Sequence, residues 1–493
     1  MRPISRRQAL LLGGVGAAAT AAGGAGLIWS LSSRPGPTGG GELVQPDELR
    51  SDAGQLQVRL EAAPAQVQLG GRQVSALGYN GSVPGPTLRL KPGDTLKIGL
   101  ANNLSQPTNL HVHGLHVSPE GNGDNVFVAV GPGSTFDYEY RLPAGHPPGV
   151  YWYHPHHHGM VADQIFAGLF GAIIVEDPEP IEASTERVLV VSDTAVDGLG
   201  NIRPASAMDR MAGREGDLLL VNGQSSPRFS ARPGQRERWR IVNACVARYL
   251  RLRLDGQQLQ LLGMDSGRFQ EPRQVEELVL TPGNRADLLV TTAAGESVLR
   301  AFRYNRGNMG GMMGQGPFGP PFGPPFGPTE QADGAALALF RVSGEAATPP
   351  GALPAQAAPG DLRLATVAAH RQINLAAGMG MGAAGMMRFT INGREFDPAR
   401  TDTTAAAGTV EEWTLTNSST MDHPFHLHVW PMQVIRDNGV DLSLPDWLDV
   451  VNVPANGRVT VRVAFTDFRG RSAYHCHILD HEDLGMMGAI EVR

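Results

Sequence analysis

Apolar and polar residues alternate in many short runs along this chain, the pattern of strands with one buried face. In residues 87–100 (TLRLKPGDTLKIGL), apolar side chains occupy every second position on both sides of a Pro-Gly turn. Glycine (62 residues) and proline (37 residues) are abundant, and both favour turns over helices. The pattern predicts an all-β protein with many turns.

The same unit recurs three times. An Asn-Gly pair at Asn80, Asn222 and Asn392 leads each time into a Pro-containing or polar turn and then an alternating strand that ends in Asn. A second landmark contains Pro132, Pro282 or Pro454 and precedes another alternating strand. Three copies of a β-unit predict three β-sandwich domains, which we place at residues 42–178, 179–345 and 360–493, with a linker at 346–359.

Length and charge agree with this division and exclude some functions. A chain of 493 residues can hold about three domains of roughly 150 residues each. The formal net charge is -7, which indicates neither a nucleic-acid surface nor a polybasic membrane patch. Only two cysteines are present, so no disulfide framework is predicted. Cys245 lies in an apolar run and is interpreted as a buried packing residue.

The N-terminal segment 1–41 carries an export pattern. Ser5-Arg6-Arg7 opens a twin-arginine motif (SRRQALLL), and a Gly/Ala-rich apolar run continues to about Leu31. We expect export by the twin-arginine route to the periplasm or the extracellular space, with no membrane attachment after cleavage. The alternative is an uncleaved anchor, because the run is about 20 residues long. Residues 32–41 (SSRPGPTGGG) are typical of a flexible linker.

Histidines carry the chemistry that the sequence predicts. Most of the 15 His fall into four clusters: His111 with His113; His154 with His156, His157 and His158; His423 with His426 and His428; and His475 with His477 and His481. Two clusters lie in the first predicted domain and two in the third, whereas the corresponding strand of the second domain, residues 299–307, has no His. Strand alternation alone cannot decide between the pairs His154/His156 and His156/His158.

The C-terminal segment HCHILDHEDLGMM organises the chain. On a strand, Cys476 faces one side while His475 and His477 face the other, so one tripeptide can contact two metal sites. Thiolate, imidazole and thioether form the ligand set of a blue-copper electron-transfer site. Cys476, His481 and Met486 supply three of those four ligands.

Together, the four clusters resemble the copper-binding motifs of the multicopper oxidases, which include laccases and bacterial copper-efflux oxidases. The resemblance covers the whole chain after the export segment. It implies an all-β fold of three cupredoxin-like Greek-key β-sandwich domains. It also implies an oxidoreductase with dioxygen as acceptor and four copper ions: one type 1 (blue) copper, one type 2 copper and a type 3 pair.

Ligands carry over motif by motif. The resemblance implies His423, Cys476, His481 and the axial Met486 for type 1 copper, and His111 with His426 for type 2 copper. For the type 3 pair it implies six residues: His113, His154, His156, His428, His475 and His477. His116, His146, His157, His158 and His370 then lie outside the ligand set.

Two acids are candidates for delivering protons to dioxygen. Glu482 follows His481 directly, where the copper-efflux oxidases carry an acid credited with proton delivery. Asp124 lies just downstream of the first cluster, where the family has a second acid. For each, the alternative is an ordinary surface-loop carboxylate.

The electron donor is left open. A phenol or aromatic amine could pass electrons to an exposed His481 or His423. Cuprous ion could instead bind the Met-rich stretches, which are Asn308–Gly314 at the start of a Gly/Pro/Phe-rich insert (307–329), and Gly378–Gly382 with Met386–Met387. The alternative for both stretches is a low-complexity loop. Relatives that oxidise metal often carry an acid a few residues before the first type 1 His, but Ser419 and Thr420 stand there, with Asp422 adjacent to His423.

Two other functions are weighed. Copper nitrite reductases share cupredoxin domains but usually have two per chain and lack this full set of His clusters. A copper-free structural cupredoxin, of the cell-division type, would not need the ligands.

Overall fold

The computed structural model of the protein describes residues 40–307, 334–348, 350–382 and 385–493. The twin-arginine segment and the insert Asn308–Pro328 lie outside the described residues. Strands form six sheets in three consecutive pairs, so the predicted all-β class is confirmed. No helix among the described residues is both long and apolar enough to cross a membrane.

The first unit pairs a five-stranded sheet (order β1-β4-β9-β8-β6) with a four-stranded sheet (β3-β2-β5-β7). Their inward residues, such as Leu88 and Ile98, share one core. The strands are β1 (Glu48–Arg50), β2 (Gln55–Leu69), β3 (Arg72–Tyr79), β4 (Thr87–Leu90), β5 (Thr95–Asn102), β6 (His111–His113), β7 (Thr135–Arg141), β8 (Gly149–His154) and β9 (Gly171–Val175).

In the second unit, a six-stranded sheet (β11-β10-β13-β18-β15-β16) packs on a five-stranded sheet (β12-β20-β19-β14-β17). Cys245 lies in its core, as predicted, at 1% exposure. The strands are β10 (Thr185–Thr194), β11 (Leu218–Val221), β12 (Arg228–Ala231), β13 (Arg236–Asn243), β14 (Leu250–Leu254), β15 (Gln258–Met264), β16 (Gly267–Val275), β17 (Leu278–Leu280), β18 (Arg285–Thr291), β19 (Gly295–Phe302) and β20 (Ala335–Val342).

The third unit repeats the arrangement, with sheets β22-β21-β24-β29-β26-β27 and β23-β31-β30-β25-β28. Its strands are β21 (Val367–Gly382), β22 (Gly385–Ile391), β23 (Thr403–Ala405), β24 (Thr409–Asn417), β25 (His423–Leu427), β26 (Met432–Asp437), β27 (Val440–Leu448), β28 (Val450–Val453), β29 (Arg458–Phe465), β30 (Gly470–Cys476) and β31 (Met487–Val492). Gly378–Gly382 and Met386–Met387 of the second Met-rich stretch therefore lie in the antiparallel strands β21 and β22, and the loop interpretation of these residues is wrong.

Asn-Gly landmarks adopt one turn in all three units. Asn80, Asn222 and Asn392 have φ of 52°, 51° and 52°, and each following Gly also has positive φ. Positive φ at both central residues is the hairpin turn that Asn-Gly favours, which explains why this dipeptide recurs. The domain limits stay predictions, and residues 40–45 contact the second unit rather than the first: the Leu43 amide donates to the Arg228 carbonyl (2.9 Å).

Within the described part of the chain, three short helices lie near the junction of the units: α1 (Val161–Phe166), α2 (Ala207–Ala212) and α3 (Leu479–Asp483). A 3-10 turn is present at Leu362–Leu364. At the start of α1, the Asp483 carboxylate of α3 accepts from the Gly159, Val161 and Ala162 amides at 2.8–3.1 Å. The third unit is thereby joined to the first beside the histidine strands.

Candidate metal centre between the first and third units

Strand pairing brings the His clusters of each unit together. In the first unit, β6 pairs with β8 so that His111 lies opposite His154. In the third, β25 pairs with β30 so that His426 lies opposite His475. The two pairs face each other across the interface, where eight side chains are at most 1% exposed: His111, His113, His154, His156, His426, His428, His475 and His477.

Nitrogens of these eight side chains form three groups. His111 Nε2 lies 3.4 Å from His426 Nε2. In the second group, His475 Nε2 lies 3.0 Å from both His156 Nε2 and His428 Nε2.

In the third group, His113 Nδ1 lies 3.4 Å from His154 Nε2, and the His477 ring centroid is 4.9 Å from that of His113. The structure thus brings together His111 and His426, which the resemblance implies for type 2 copper, and the six histidines that it implies for the type 3 pair.

In most of these histidines, the ring nitrogen that faces away from its group contacts a carboxylate or carbonyl oxygen of the protein. Such contacts fix the tautomer and the ring orientation of a metal-binding His. They are His111 Nδ1 to Asp124 Oδ1 (2.9 Å), His113 Nε2 to Asp449 Oδ1 (3.0 Å), and Nδ1 of His154, His426 and His475 to the carbonyls of Pro155 (2.8 Å), Asp449 (2.7 Å) and Cys476 (3.0 Å). In each case the nitrogen that faces the group is left with its lone pair free.

Burial and the neighbouring histidines lower the pKa of His111 and His156 well below the ordinary value. The neutral imidazole that results is the form that binds metal. Neither ring nitrogen of His477 has a hydrogen-bond partner within the described parts of the chain, although the side chain is fully buried. An unpaired buried nitrogen is costly, and an all-imidazole set suits copper. The residues present therefore fit copper.

A second group is centred on Cys476. His423 Nδ1 lies 3.3 Å and His481 Nδ1 3.9 Å from Cys476 Sγ. Met486 is fully buried, and its carbonyl accepts from the Cys476 amide at 3.0 Å, which keeps its backbone beside the cysteine. Burial raises the pKa of the Cys476 thiol, so the thiolate needs a bound cation to stabilise it.

In this second group too, the ring nitrogens of His423 and His481 that face away from Cys476 contact oxygen atoms of the protein. His423 Nε2 lies 2.8 Å from Ser419 Oγ, and His481 Nε2 lies 3.1 Å from the carbonyl of Met211 in α2. The Ile478 amide donates to Cys476 Sγ at 3.4 Å. Ser419 therefore fixes the orientation of the His423 ring.

Both candidate acids lie at the cluster, and neither is on the surface. Asp124 accepts from His111 Nδ1 and from the Val112 amide (3.1 Å), and burial raises its pKa to about 8. Glu482 Oε2 lies 3.1 Å from His475 Nδ1, and its Oε1 lies 3.4 Å from His156 Nε2. Burial also raises the pKa of Glu482 well above its usual range, so burial favours the protonated form of both carboxyl groups.

His157 and His158 lie outside the nitrogen groups. They line a cavity of about 340 Å³ together with His156, Phe127 and Phe396, and the His158 ring meets Phe396 edge-on at 4.8 Å. The cavity reaches the cluster at His156. The structure thus places His154 and His156, rather than His156 and His158, in the nitrogen groups. Strand alternation alone could not decide between these two pairs. Of the remaining His, His116 lies by Asp467, His146 accepts from the His116 amide, and His370 is exposed.

Replacing His156 or His158 by alanine separates the two pairings directly. We expect His156→Ala to lose copper from the cluster, because His156 shares a nitrogen group with His428 and His475. His158→Ala is its matched control and should keep the wild-type copper content. Metal analysis of the purified variants measures both, and equal loss from the two would contradict the grouping.

One expectation about electron entry is wrong: neither His423 nor His481 is exposed. Both are at 0% exposure. His481 is covered because its Nε2 contacts Met211 and its ring stacks on Phe389 at 4.4 Å between centroids. Direct contact between an electron donor and either imidazole is therefore blocked by the protein.

The protein has β-sandwich units with a buried imidazole cluster between two of them. The strand that ends at Cys476 connects this cluster to the group of His423, Cys476, His481 and Met486. Together, these features define a copper-dependent oxidase of cupredoxin architecture. Family models described as "Multicopper oxidase" match residues 61–180, 190–309 and 369–493. The chain belongs to the multicopper oxidase family, whose members are oxidoreductases that use dioxygen and copper.

Two of the similar proteins are named multicopper oxidases, and a third is a cell division protein. A solved multicopper oxidase from Campylobacter jejuni, titled a metallo-oxidase, is 30% identical with a TM-score of 0.78, over 93% of this chain and 96% of that one. Multicopper oxidase mco of Staphylococcus aureus is 28% identical over 85% of this chain and 84% of its own length. Cell division protein FtsP of Edwardsiella tarda is 30% identical over 70% of each chain.

Proposed function

We propose that the protein is a laccase-like oxidase that binds four copper ions and reduces dioxygen to water. It takes single electrons from a phenol, an aromatic amine or cuprous ion at a type 1 site formed by His423, Cys476, His481 and Met486. The observation that carries the proposal is the sharing of one tripeptide: Cys476 belongs to the blue-copper group, while His475 and His477 on either side belong to the imidazole cluster.

When bound, copper supplies one-electron redox chemistry at the thiolate site and holds the electrons that dioxygen reduction needs. The protein itself connects the two centres and supplies protons at the imidazole cluster. Covalent bonds through His475-Cys476-His477 link the two centres. Glu482 and Asp124 each carry a buried carboxyl group at the cluster that can hold a proton and release it toward a reduced oxygen atom.

Contacts at the Cys476 group favour an organic donor over a metal. Asp422 is the acid nearest in sequence to His423, but its carboxylate already accepts from Tyr304 Oη (2.9 Å), Asn452 Nδ2 (3.0 Å) and the Ala455 amide (2.9 Å). A carboxylate held in this way is a poor ligand for a cation in transit. Against this, the C. jejuni relative is titled a metallo-oxidase, and the insert beside Gly307 is Met-rich, so a cuprous oxidase that serves copper homeostasis is the second candidate.

Deleting Asn308–Pro328 separates the two donors. For a laccase-like enzyme we expect unchanged oxygen uptake with a simple phenol and with Cu(I). For a cuprous oxidase, uptake with Cu(I) should fall while uptake with phenol holds or rises, because thioether ligands select Cu(I). A matched control keeps the length of the insert and replaces only Met309, Met312 and Met313 by leucine. Loss of Cu(I) oxidation in both variants would reject the laccase-like assignment.

Similarity to FtsP supports a competing reading, a cupredoxin protein that acts in cell division. A copper-free structural role needs no buried ligand nitrogens, whereas this chain retains His at all ten positions that the resemblance implies. A purified protein that takes up no copper would favour the structural reading.

We also propose export by the twin-arginine route to the periplasm or the extracellular space. Support comes from the Ser5-Arg6-Arg7 motif and the apolar run behind it. Cell fractionation of a chain with both arginines replaced by lysine tests this, and unchanged export would contradict it.

A further inference from the structure

A loop of the middle unit, Thr281–Arg285, contacts the histidine cluster, although that unit contributes none of its histidines. Gly283 has φ of +86°, and a Cβ atom placed there would lie 2.8 Å from the His477 ring. The Gly283 amide donates to the Asn243 carbonyl at 3.0 Å, which fixes the loop to its own unit. His477 thus lies directly over this glycine, and only a residue without a side chain leaves it room.

Arg285, the last residue of this loop, forms a paired contact with Asp449 of the third unit. Arg285 Nη1 lies 2.5 Å from Asp449 Oδ1, and Nη2 lies 2.6 Å from Oδ2. Arg285 is at 0% exposure and Asp449 at 2%. Because the planar guanidinium fork matches both carboxylate oxygens, the pair fixes the orientation of Asp449.

Asp449 in turn holds two cluster histidines from different units. Its Oδ1 accepts from His113 Nε2 at 3.0 Å, and its carbonyl accepts from His426 Nδ1 at 2.7 Å. His113 belongs to the proposed type 3 set and His426 to the proposed type 2 pair. One aspartate therefore sets the tautomer of a ligand at each of two neighbouring sites.

This aspartate is close enough to become a ligand itself. Ligand atoms of His113, His426 and Asp449 all lie within 4.8 Å of one another, which is close enough to hold a metal ion. Arg285 occupies both carboxylate oxygens, and Ser266 Oγ donates to Oδ2 at 2.7 Å. With its oxygens engaged, Asp449 is kept as an acceptor for His113 rather than as a competing metal ligand.

Further contacts attach the loop to all three units. Arg285 Nε donates to the Val150 carbonyl of the first unit at 3.0 Å. Asn284 Nδ2 donates to the Val450 carbonyl of the third unit at 3.1 Å and to Asp265 Oδ2 of its own unit at 2.8 Å. The loop is thus held at the point where the ligand strands of the first and third units meet.

We infer that Arg285 is a positioning residue for the type 2 and type 3 copper ligands, acting through Asp449 on His113 and His426, with Gly283 providing the space for His477. The inference rests on the proposed function. It gives the middle unit a part in assembling the cluster through Arg285, separate from the contact that its Met211 makes with His481 of the Cys476 group.

The test compares Arg285→Lys and Arg285→Gln with a matched control, Arg238→Gln. Arg238 is also buried (3% exposed) and belongs to the same sheet. It pairs with Asp177 of the first unit at 2.6 Å and with Asp287 of its own unit at 2.7 Å. It makes no hydrogen bond or ion pair with a cluster histidine among the described contacts. Each copper-loaded protein is titrated with a copper chelator while three signals are followed: the type 2 electron paramagnetic resonance, the near-ultraviolet absorption of the type 3 pair and the blue absorption of type 1 copper.

We expect both Arg285 variants to lose the type 2 and type 3 signals at about 10- to 100-fold lower chelator concentration than wild type, the usual cost of losing an outer contact of a metal ligand. Their blue absorption should persist. Arg285→Lys should lose the signals as Arg285→Gln does, because lysine keeps the positive charge but cannot contact both oxygens of the Asp449 carboxylate. If the Arg285 variants do not fold, Gly283→Ala and Ser266→Ala are measured in the same way. Selective loss of the type 2 and type 3 signals in these variants supports the inference, and wild-type retention of both signals contradicts it.

Two results would overturn the inference. One is retention of the type 2 and type 3 signals at wild-type chelator concentrations. The other is loss of all three signals together in both the Arg285 variants and Arg238→Gln, which indicates a general effect on folding. A wild-type protein that never shows type 2 and type 3 signals would instead reject the proposed function.

Discussion

Replacing Cys476 by serine is expected to abolish the blue absorption and to reduce donor oxidation to the level of the metal-free protein. Cys476 Sγ is the atom that His423 and His481 both face, and the same residue lies between two histidines of the cluster. Serine keeps the shape but removes the soft thiolate that suits copper at this site. Absorption spectra and oxygen uptake with a phenol measure the two effects.

Cys245→Ser is the matched control for this change. Cys245 is as buried as Cys476 but lies in the core of the middle unit, with Sγ 3.9 Å from the Val191 carbonyl. We expect this variant to keep both the colour and the activity. A Cys476→Ser protein that stays blue and oxidises phenol at the wild-type rate would remove Cys476 from the electron path.

Replacing Glu482 by glutamine should slow oxygen uptake by about 100-fold or more, in the range typical of a lost general acid, and leave the blue absorption unchanged. The Glu482 carboxyl group lies within 3.1–3.4 Å of His475 and His156. Burial raises its pKa well above the ordinary value, which favours the protonated form that a proton donor needs. Glutamine fills the same space but cannot release a proton, so the effect should appear in turnover rather than in copper content.

Glu411→Gln controls for removing a buried carboxylate from the same unit. Glu411 is 2% exposed and pairs with Arg371 and the Trp413 indole, away from the histidines. We expect this variant to lose stability but to keep its turnover per folded molecule. If Glu482→Gln and Glu411→Gln turn over equally fast, Glu482 has no part in proton delivery.

Strand content could be predicted from the sequence because it depends on local order, whereas the full ligand set was implied by the resemblance to the multicopper oxidases. Period-two alternation marks strands, and the Asn-Gly turns repeat in each unit with the same backbone angles. The order His475-Cys476-His477 on one strand already requires that the cysteine and the histidines face opposite sides. These features need no knowledge of how the units pack.

What the sequence could not show depends on contacts between distant segments. Asp449 and Arg285 are separated by 164 positions, and neither stands in a His cluster. Met211 reaches His481 across 270 positions, which is why the histidine predicted to be exposed is buried. The choice of His154 over His158 follows from the turn after β8, where the chain leaves the sheet and strand alternation no longer applies.

Copper content and oxygen uptake of the purified wild-type protein test the central claim most directly. We predict four copper ions per chain, a blue colour, and oxygen consumption that depends on an added phenol or on Cu(I) and yields water without accumulated peroxide. A fully copper-loaded sample that consumes no oxygen with either donor would contradict the account.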